Sequence, residues 1–108
     1  MAQASMNYDE KLRLFGCCTD LAPPDWSDFT HLFLSAVCET DEGCTSGQTL
    51  ANAQFFSVYG VNLYGEVEVI TDTPDGATLT EAWDLANDLG SISGLRVDLC
   101  SVLQGALA

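Results

Sequence analysis

Acidic residues dominate the charge of this chain and restrict how it can fold. Sixteen aspartates and glutamates stand against three basic residues, Lys11, Arg13 and Arg96, and the formal net charge is -13. Self-repulsion on this scale lowers the stability of a compact state. The acids fall at positions that the apolar pattern leaves to solvent, so we expect an acidic surface around an apolar core.

The same charge balance excludes several classes of partner. Nucleic acids are bound through Lys and Arg contacts to phosphates, so we expect no direct nucleic-acid ligand and no anionic membrane surface.

The sequence shows neither a basic, apolar leader nor an apolar stretch of about 18 residues, so we expect a cytoplasmic protein without a transmembrane helix. Acidity for solubility alone and adaptation to high salt are alternative explanations of the charge.

The length of the chain predicts a single domain. Its 108 residues are enough for one hydrophobic core, and 47% of them are hydrophobic, which is enough apolar material to fold. We therefore expect one domain over residues 1–108. Residues 1–6 show no periodicity, and we expect them to be disordered.

Two helices are predicted in the first part of the chain. Asn7 is a candidate cap for a helix over residues 8–17. After a proline pair, apolar residues recur at spacings of three and four, which is the pattern of an amphipathic helix over residues 25–39. The residues of this stripe are Trp26, Phe29, Leu32, Phe33, Ala36 and Val37.

The remainder of the chain predicts a ββαβ unit. Residues 54–61 and 66–71 are rich in aromatic and β-branched residues and form the clearest hairpin signal. A capping-box pattern predicts a helix over residues 78–90, and alternation of apolar residues predicts a third strand over residues 95–99. The predicted fold class is α+β, with two N-terminal helices followed by a ββαβ unit with a small, mostly antiparallel three-stranded sheet.

A right-handed crossover in this unit places the first predicted strand between the other two. The strand over residues 66–71 is then an edge strand, and its acids share the face opposite to Val67 and Val69. Same-face neighbours on a strand lie about 6.6 Å apart, similar to the spacing of phosphates along a nucleic-acid strand. On the helix over residues 78–90, acids at helical spacing form a second row. The candidate partner-binding residues are Glu66, Glu68 and Asp72 in the first row and Glu81, Asp84 and Asp88 in the second.

Two tyrosines flank the predicted hairpin tip. Tyr64 is a candidate anchor for a partner beside the acids, because Tyr is enriched at protein interfaces. The alternative is that both Tyr59 and Tyr64 cover the core of the sheet.

Metal and enzyme sites receive little support from the sequence. The cysteines and the single histidine lack the close pairs of structural zinc sites, so we expect no metal and no cofactor. A Cys38–Cys44 disulfide is conceivable around an intervening glycine, but the five cysteines are an odd number. His31 lies too far from Cys38 on one helix for a catalytic pair, and we expect no catalytic residues. The candidate zinc ligands are Cys17, Cys18, His31, Cys38 and Cys44.

The combination of one small domain, strong acidity, few basic residues and a ββαβ unit resembles phage-encoded anti-defence proteins, including anti-CRISPRs and other nucleic-acid mimics. This resemblance lies in general character and not in particular motifs. It implies a non-catalytic inhibitor that occupies a basic nucleic-acid groove of a bacterial defence complex in the host cytoplasm. The alternative is a self-associating structural module, in which the apolar face of the sheet packs against a second copy.

Overall fold

The computed structural model describes residues 7–106, which form two helices and a five-stranded sheet. The expectation of disorder over residues 1–6 lies outside the described residues. Within residues 7–106, three short 3-10 turns lie between the helices and strands, and a fourth follows the last strand. The elements are α1 (Tyr8–Phe15), β1 (His31–Thr40), β2 (Gly43–Ser46), β3 (Phe55–Val61), β4 (Val67–Asp72), α2 (Leu79–Ser93) and β5 (Val97–Leu99).

The prediction of a helix over residues 25–39 is wrong. The structure has a single 3-10 turn at Trp26–Asp28 and then the ten-residue strand β1. Side chains on both faces of β1 are buried, Leu32 and Leu34 on one face and Val37 on the other. A strand that is buried on both faces carries apolar residues at consecutive positions and therefore lacks the alternation that identifies a strand. Within such a run, some apolar residues also fall three and four positions apart, which is the spacing of an amphipathic helix.

Strand β1 is the centre of the sheet, and the predicted three-stranded sheet is therefore also wrong. One edge of β1 pairs antiparallel with β3 along its length. Its other edge is shared by β5, which pairs parallel to Leu32–Leu34, and by β2, which pairs antiparallel to Val37–Thr40. Strand β3 consequently lies between β1 and β4, and not between β4 and β5 as expected. Strand β4 ends the order β2-β1-β3-β4 and has the expected edge position.

The two helices form where their capping signals predict. The Asn7 side chain accepts a hydrogen bond from the Glu10 N–H at 2.8 Å, which caps α1. Thr78 and Glu81 form a reciprocal capping box at α2, and Gly94 ends that helix in a left-handed conformation. Helix α1 ends two residues before its predicted limit, and α2 ends three residues after its predicted limit. Sequence patterns locate the ends of helices less well than the helices themselves.

The core lies between the helices and one face of the sheet, here called the inner face. Leu32 and Leu34 of β1 and Phe56 and Val58 of β3 are buried there in one cluster with the apolar side of α2. Burial of a side chain of this size stabilises the fold by about 1.5–3 kcal/mol. Aromatic residues near the N-terminal end of β1 complete this layer, because the Phe29 ring packs directly over Gly60.

The opposite face of the sheet, here called the outer face, also carries apolar side chains, several of which are partly exposed. The cross-strand pairs show that Phe33 and Tyr59 face this side, and their ring centroids lie 6.5 Å apart. Partly or fully exposed apolar residues of the outer face are Phe33, Phe55, Tyr59, Val61, Val67 and Val69.

Candidate functional site

A β-bulge in β4 divides the first predicted row of acids. Val69 lies opposite Tyr59 and Thr71 lies opposite Val58, so Ile70 is an extra residue in the ladder. Glu68 therefore lies opposite Gly60 and faces the inner side, whereas Asp72 lies opposite Ser57 and faces the outer side. The expected shared face of Glu66, Glu68 and Asp72 is wrong, because the period of two fails at a bulge that the sequence pattern does not reveal.

The second predicted row is largely engaged within the fold. The Glu81 carboxylate accepts the Thr78 N–H at 2.8 Å in the capping box. Asp88 accepts a hydrogen bond from the Arg13 guanidinium at 2.7 Å, and this carboxylate raises the pKa of Arg13. Asp84 is exposed, and among residues 7–106 it has neither a capping hydrogen bond nor an ion pair with Arg13. Because α1 contacts both β4 and α2 and brings Arg13 to Asp88, the two rows do not form one continuous acidic surface.

The structure instead brings the acids of β4 next to two acids from a distant part of the chain. Two adjoining depressions of about 450 and 510 Å³ lie beside the open edge of β4. Asp28 and Glu68 line both of them, Asp25 lines the first, and Glu66 lines the second. We call this surface the β4 groove and define it by the residues Asp25, Asp28, Tyr64, Glu66 and Glu68.

Sequence reasoning missed the contribution of Asp25 and Asp28 to this site. Both lie at the start of the predicted helix over residues 25–39, and the Asp25 carboxylate accepts hydrogen bonds from Ser27. Their position beside Glu68 depends on Phe29, whose ring packs within 2.7 Å of where a side chain at Gly60 would lie. No sequence signal marks this contact, since it depends on the absence of a side chain 31 positions along the chain.

The charge of the β4 groove is not neutralised by the rest of the described chain. Among residues 7–106, the ion pairs join Arg13, His31 and Arg96 to acids outside the groove. The hydrogen bonds from Ser27 lower the pKa of Asp25, which keeps this exposed carboxylate charged. The hydrogen-bond donor to the Glu66 carboxylate is also a neutral group, because Asn62 Nδ2 donates to it at 2.9 Å. Four carboxylates without a basic partner among the described residues therefore line the two adjoining depressions.

The tip of the β3–β4 hairpin presents Tyr64 at the rim of this groove. The Asn62 carboxamide oxygen accepts the N–H groups of Tyr64 and Glu66, both at 2.9 Å, which orders the turn. Tyr64 is 84% exposed and Leu63 is 79% exposed. Of the two tyrosines considered as anchors, Tyr64 is the exposed one, and its role in binding stays a prediction.

The cysteines and His31 do not assemble into a site in the part of the chain that the structure describes. All five thiols are free, and no group of three or more potential metal ligands is found there. The Cys38–Cys44 disulfide does not form, because Cys44 pairs with Glu39 and the side chains of Cys38 and Cys44 lie on opposite faces. His31 contacts Thr30 and lies 3.7 Å from Asp98.

Cys17 lies in a cleft of about 790 Å³ between α1, α2 and the end of β4. Partial burial of its thiol, with Asp72 beside it, raises the pKa of Cys17 to about 11. We expect alkylation by iodoacetamide at pH 8 to be roughly tenfold slower at Cys17 than at an ordinary exposed thiol, because fewer molecules carry the thiolate and its greater nucleophilicity offsets only part of that loss.

Peptide mapping by mass spectrometry measures this rate between pH 7 and pH 10, with the exposed thiol of Cys44 as the internal reference. The Cys17 rate is expected to increase about tenfold per pH unit over this whole range. A plateau in its rate by pH 9 would contradict the raised pKa.

Comparison with protein-family models, with curated proteins and with solved structures gives no match for this chain. Within residues 7–106, neither helix has the length and apolar character needed to cross a membrane.

Proposed function

We propose that this protein is a binding protein that blocks a basic, nucleic-acid-binding surface of its partner through the β4 groove. The observation that carries the proposal is the set of four groove carboxylates that have no basic partner within the described chain. The inhibitor class that fits this chemistry is the anti-CRISPR type, which acts on a bacterial defence complex in the host cytoplasm. The proposal requires no catalytic residue and no cofactor.

Electrostatic complementarity supports the groove as the contact surface. Glu66 and Glu68 lie two positions apart and line the same depression. Alternate positions of an extended chain are about 6.6 Å apart, which is similar to the spacing of the phosphates that Lys and Arg side chains ordinarily bind. The net charge of -13 attracts a basic partner from a distance and accelerates encounter. Tyr64 adds an exposed aromatic contact at the rim, where a partner can bury it.

Capture from a bacterial lysate tests the proposal. The tagged protein is immobilised at low salt, washed, and eluted separately with duplex DNA and with salt, and the eluted proteins are identified by mass spectrometry. We expect duplex DNA to release a nucleic-acid-binding protein or complex, because DNA and the β4 groove compete for one basic surface. Captured proteins that only salt releases, with no displacement by excess DNA, would contradict the proposal.

Self-association is the second candidate function, and the outer face of the sheet favours it. Phe33, Phe55 and Tyr59 lie on this face and are partly exposed. A dimer joined through this face would bury apolar area but would bring together two chains that each carry a net charge of -13. Light scattering distinguishes the two functions, since the mass of two chains at low micromolar concentration favours self-association and the mass of one chain favours the inhibitor.

A further inference from the structure

Some backbone N–H and C=O groups of β4 are not paired with any other strand that the structure describes. In an antiparallel pair, alternate residues direct their N–H and C=O groups toward the neighbouring strand. The Asn62 N–H donates to the Glu66 carbonyl oxygen at 2.9 Å, so Glu66 and Glu68 direct their backbone groups toward β3. The N–H and C=O groups of Val67 and Val69 consequently point away from β3, at the open edge of the sheet.

The open part of this edge is short and has defined limits. At its C-terminal end, the Cys17 N–H donates to the Ile70 carbonyl oxygen at 3.0 Å, so the segment that follows α1 covers the edge there. At its N-terminal end, the edge is limited by the hairpin turn, which ends at Gly65 with a positive φ of 82°. An added strand therefore has room to pair with Glu66, Val67, Glu68 and Val69.

The two sides of this open edge differ in chemistry. Glu66 and Glu68 face the inner side, toward Asp25 and Asp28 in the β4 groove. Val67 faces the outer side and is 59% exposed, and Val69 lies on the same side. A strand added here alternates between a carboxylate-lined side and an apolar side.

We propose that the partner inserts an extended segment of alternating basic and apolar residues, which adds to β4 as a further strand of the sheet. Backbone hydrogen bonds to Val67 and Val69 provide affinity, and Lys or Arg side chains in the groove provide specificity. This inference rests on the proposed function, because it specifies the form in which the basic partner occupies the same groove.

A second copy of this chain does not fit the same edge. Antiparallel pairing of β4 with another β4 places Glu66 and Glu68 beside the same residues of the second copy. Like charges at such cross-strand positions are destabilising. The net charge of -13 on each chain adds to this repulsion, so charge complementarity favours a basic strand over a second copy.

Two eight-residue peptides test strand addition on the intact protein. The first alternates lysine and valine, and the second has the same sequence with N-methyl groups on two adjacent central residues, which block both edges without changing the charge. We expect the first peptide to bind at low salt and the second to bind at least about tenfold more weakly, because it cannot form the ladder. Amide hydrogen exchange is the second measurement, with Val67 and Val69 becoming protected only by the first peptide.

Two variants separate the role of the edge from the role of charge. Val67→Pro removes an N–H that points to solvent, which an edge strand tolerates, and urea unfolding checks its fold. Glu66→Gln with Glu68→Gln removes charge and leaves the edge open. We expect both variants to weaken binding of the first peptide.

Equal binding of the two peptides, with loss of affinity only in the glutamine variant, overturns strand addition and leaves the charged groove as the site. Absence of binding of both peptides, with Val67 and Val69 unprotected, also overturns strand addition. In that case the DNA displacement experiment still decides the proposed function.

Discussion

Phe56→Ala is expected to lower the free energy of unfolding by about 3–5 kcal/mol, whereas Phe55→Ala is expected to lower it by about 1 kcal/mol. The two residues are neighbours in β3 and differ in the face that they occupy. Phe56 is 2% exposed within the inner core, and Phe55 lies partly exposed on the outer face. Truncation of Phe56 removes a buried ring and leaves a cavity, whereas solvent fills the space of Phe55.

Urea unfolding followed by circular dichroism measures both variants against the parent protein. Phe56→Leu removes less volume and preserves a measurable comparison if the alanine variant is too unstable to purify. Equal losses at the two positions would contradict the register of β1 and β3, in which Phe56 faces the inner side together with Ala36.

Glu66→Lys with Glu68→Lys is expected to weaken binding to the captured partner by about a hundredfold at low salt, which corresponds to about 2.7 kcal/mol. Each substitution replaces an attraction to a basic surface by a repulsion, and the remaining groove acids Asp25 and Asp28 then pair with the introduced lysines. Titration of the purified partner, monitored by fluorescence anisotropy, gives the two dissociation constants.

The matched control is Asp41→Lys with Glu42→Lys, at exposed positions in the turn between β1 and β2. This variant changes the net charge by the same amount but leaves the β4 groove intact. We expect its affinity to decrease only a few-fold, since it alters long-range attraction and not the contact. Equal losses in the two double variants would show that net charge alone governs binding and would remove the site from β4.

Local signals in the sequence were sufficient to predict α1, α2 and the β3–β4 hairpin. Each is set by neighbouring residues: Asn7 caps the first helix, and Thr78 with Glu81 caps the second. The exposure of the hairpin tip at Tyr64 follows in the same way from a turn between two apolar runs. These contacts span a few positions, so the pattern of the chain contains the information needed to predict them.

The prediction for residues 25–39 was wrong because burial on both faces removes the alternation that identifies a strand. Leu32, Phe33 and Leu34 are consecutive apolar residues, and the pairing of β1 with three other strands decides their conformation. The division of the acids was equally hidden, since the bulge at Ile70 depends on its pairing with β3.

The sequence by itself determined the charge of this protein and the shortage of basic residues, which leaves most acids without an ionic partner. It also determined the helices and the hairpin whose capping and turn residues are close neighbours in the chain. Only the tertiary structure decided which acids share a surface. Asp28 and Glu68 lie 40 positions apart and line the same groove because Phe29 packs on Gly60. Contacts of this kind depend on long-range packing, which overrides local preferences and which residue periodicity does not encode.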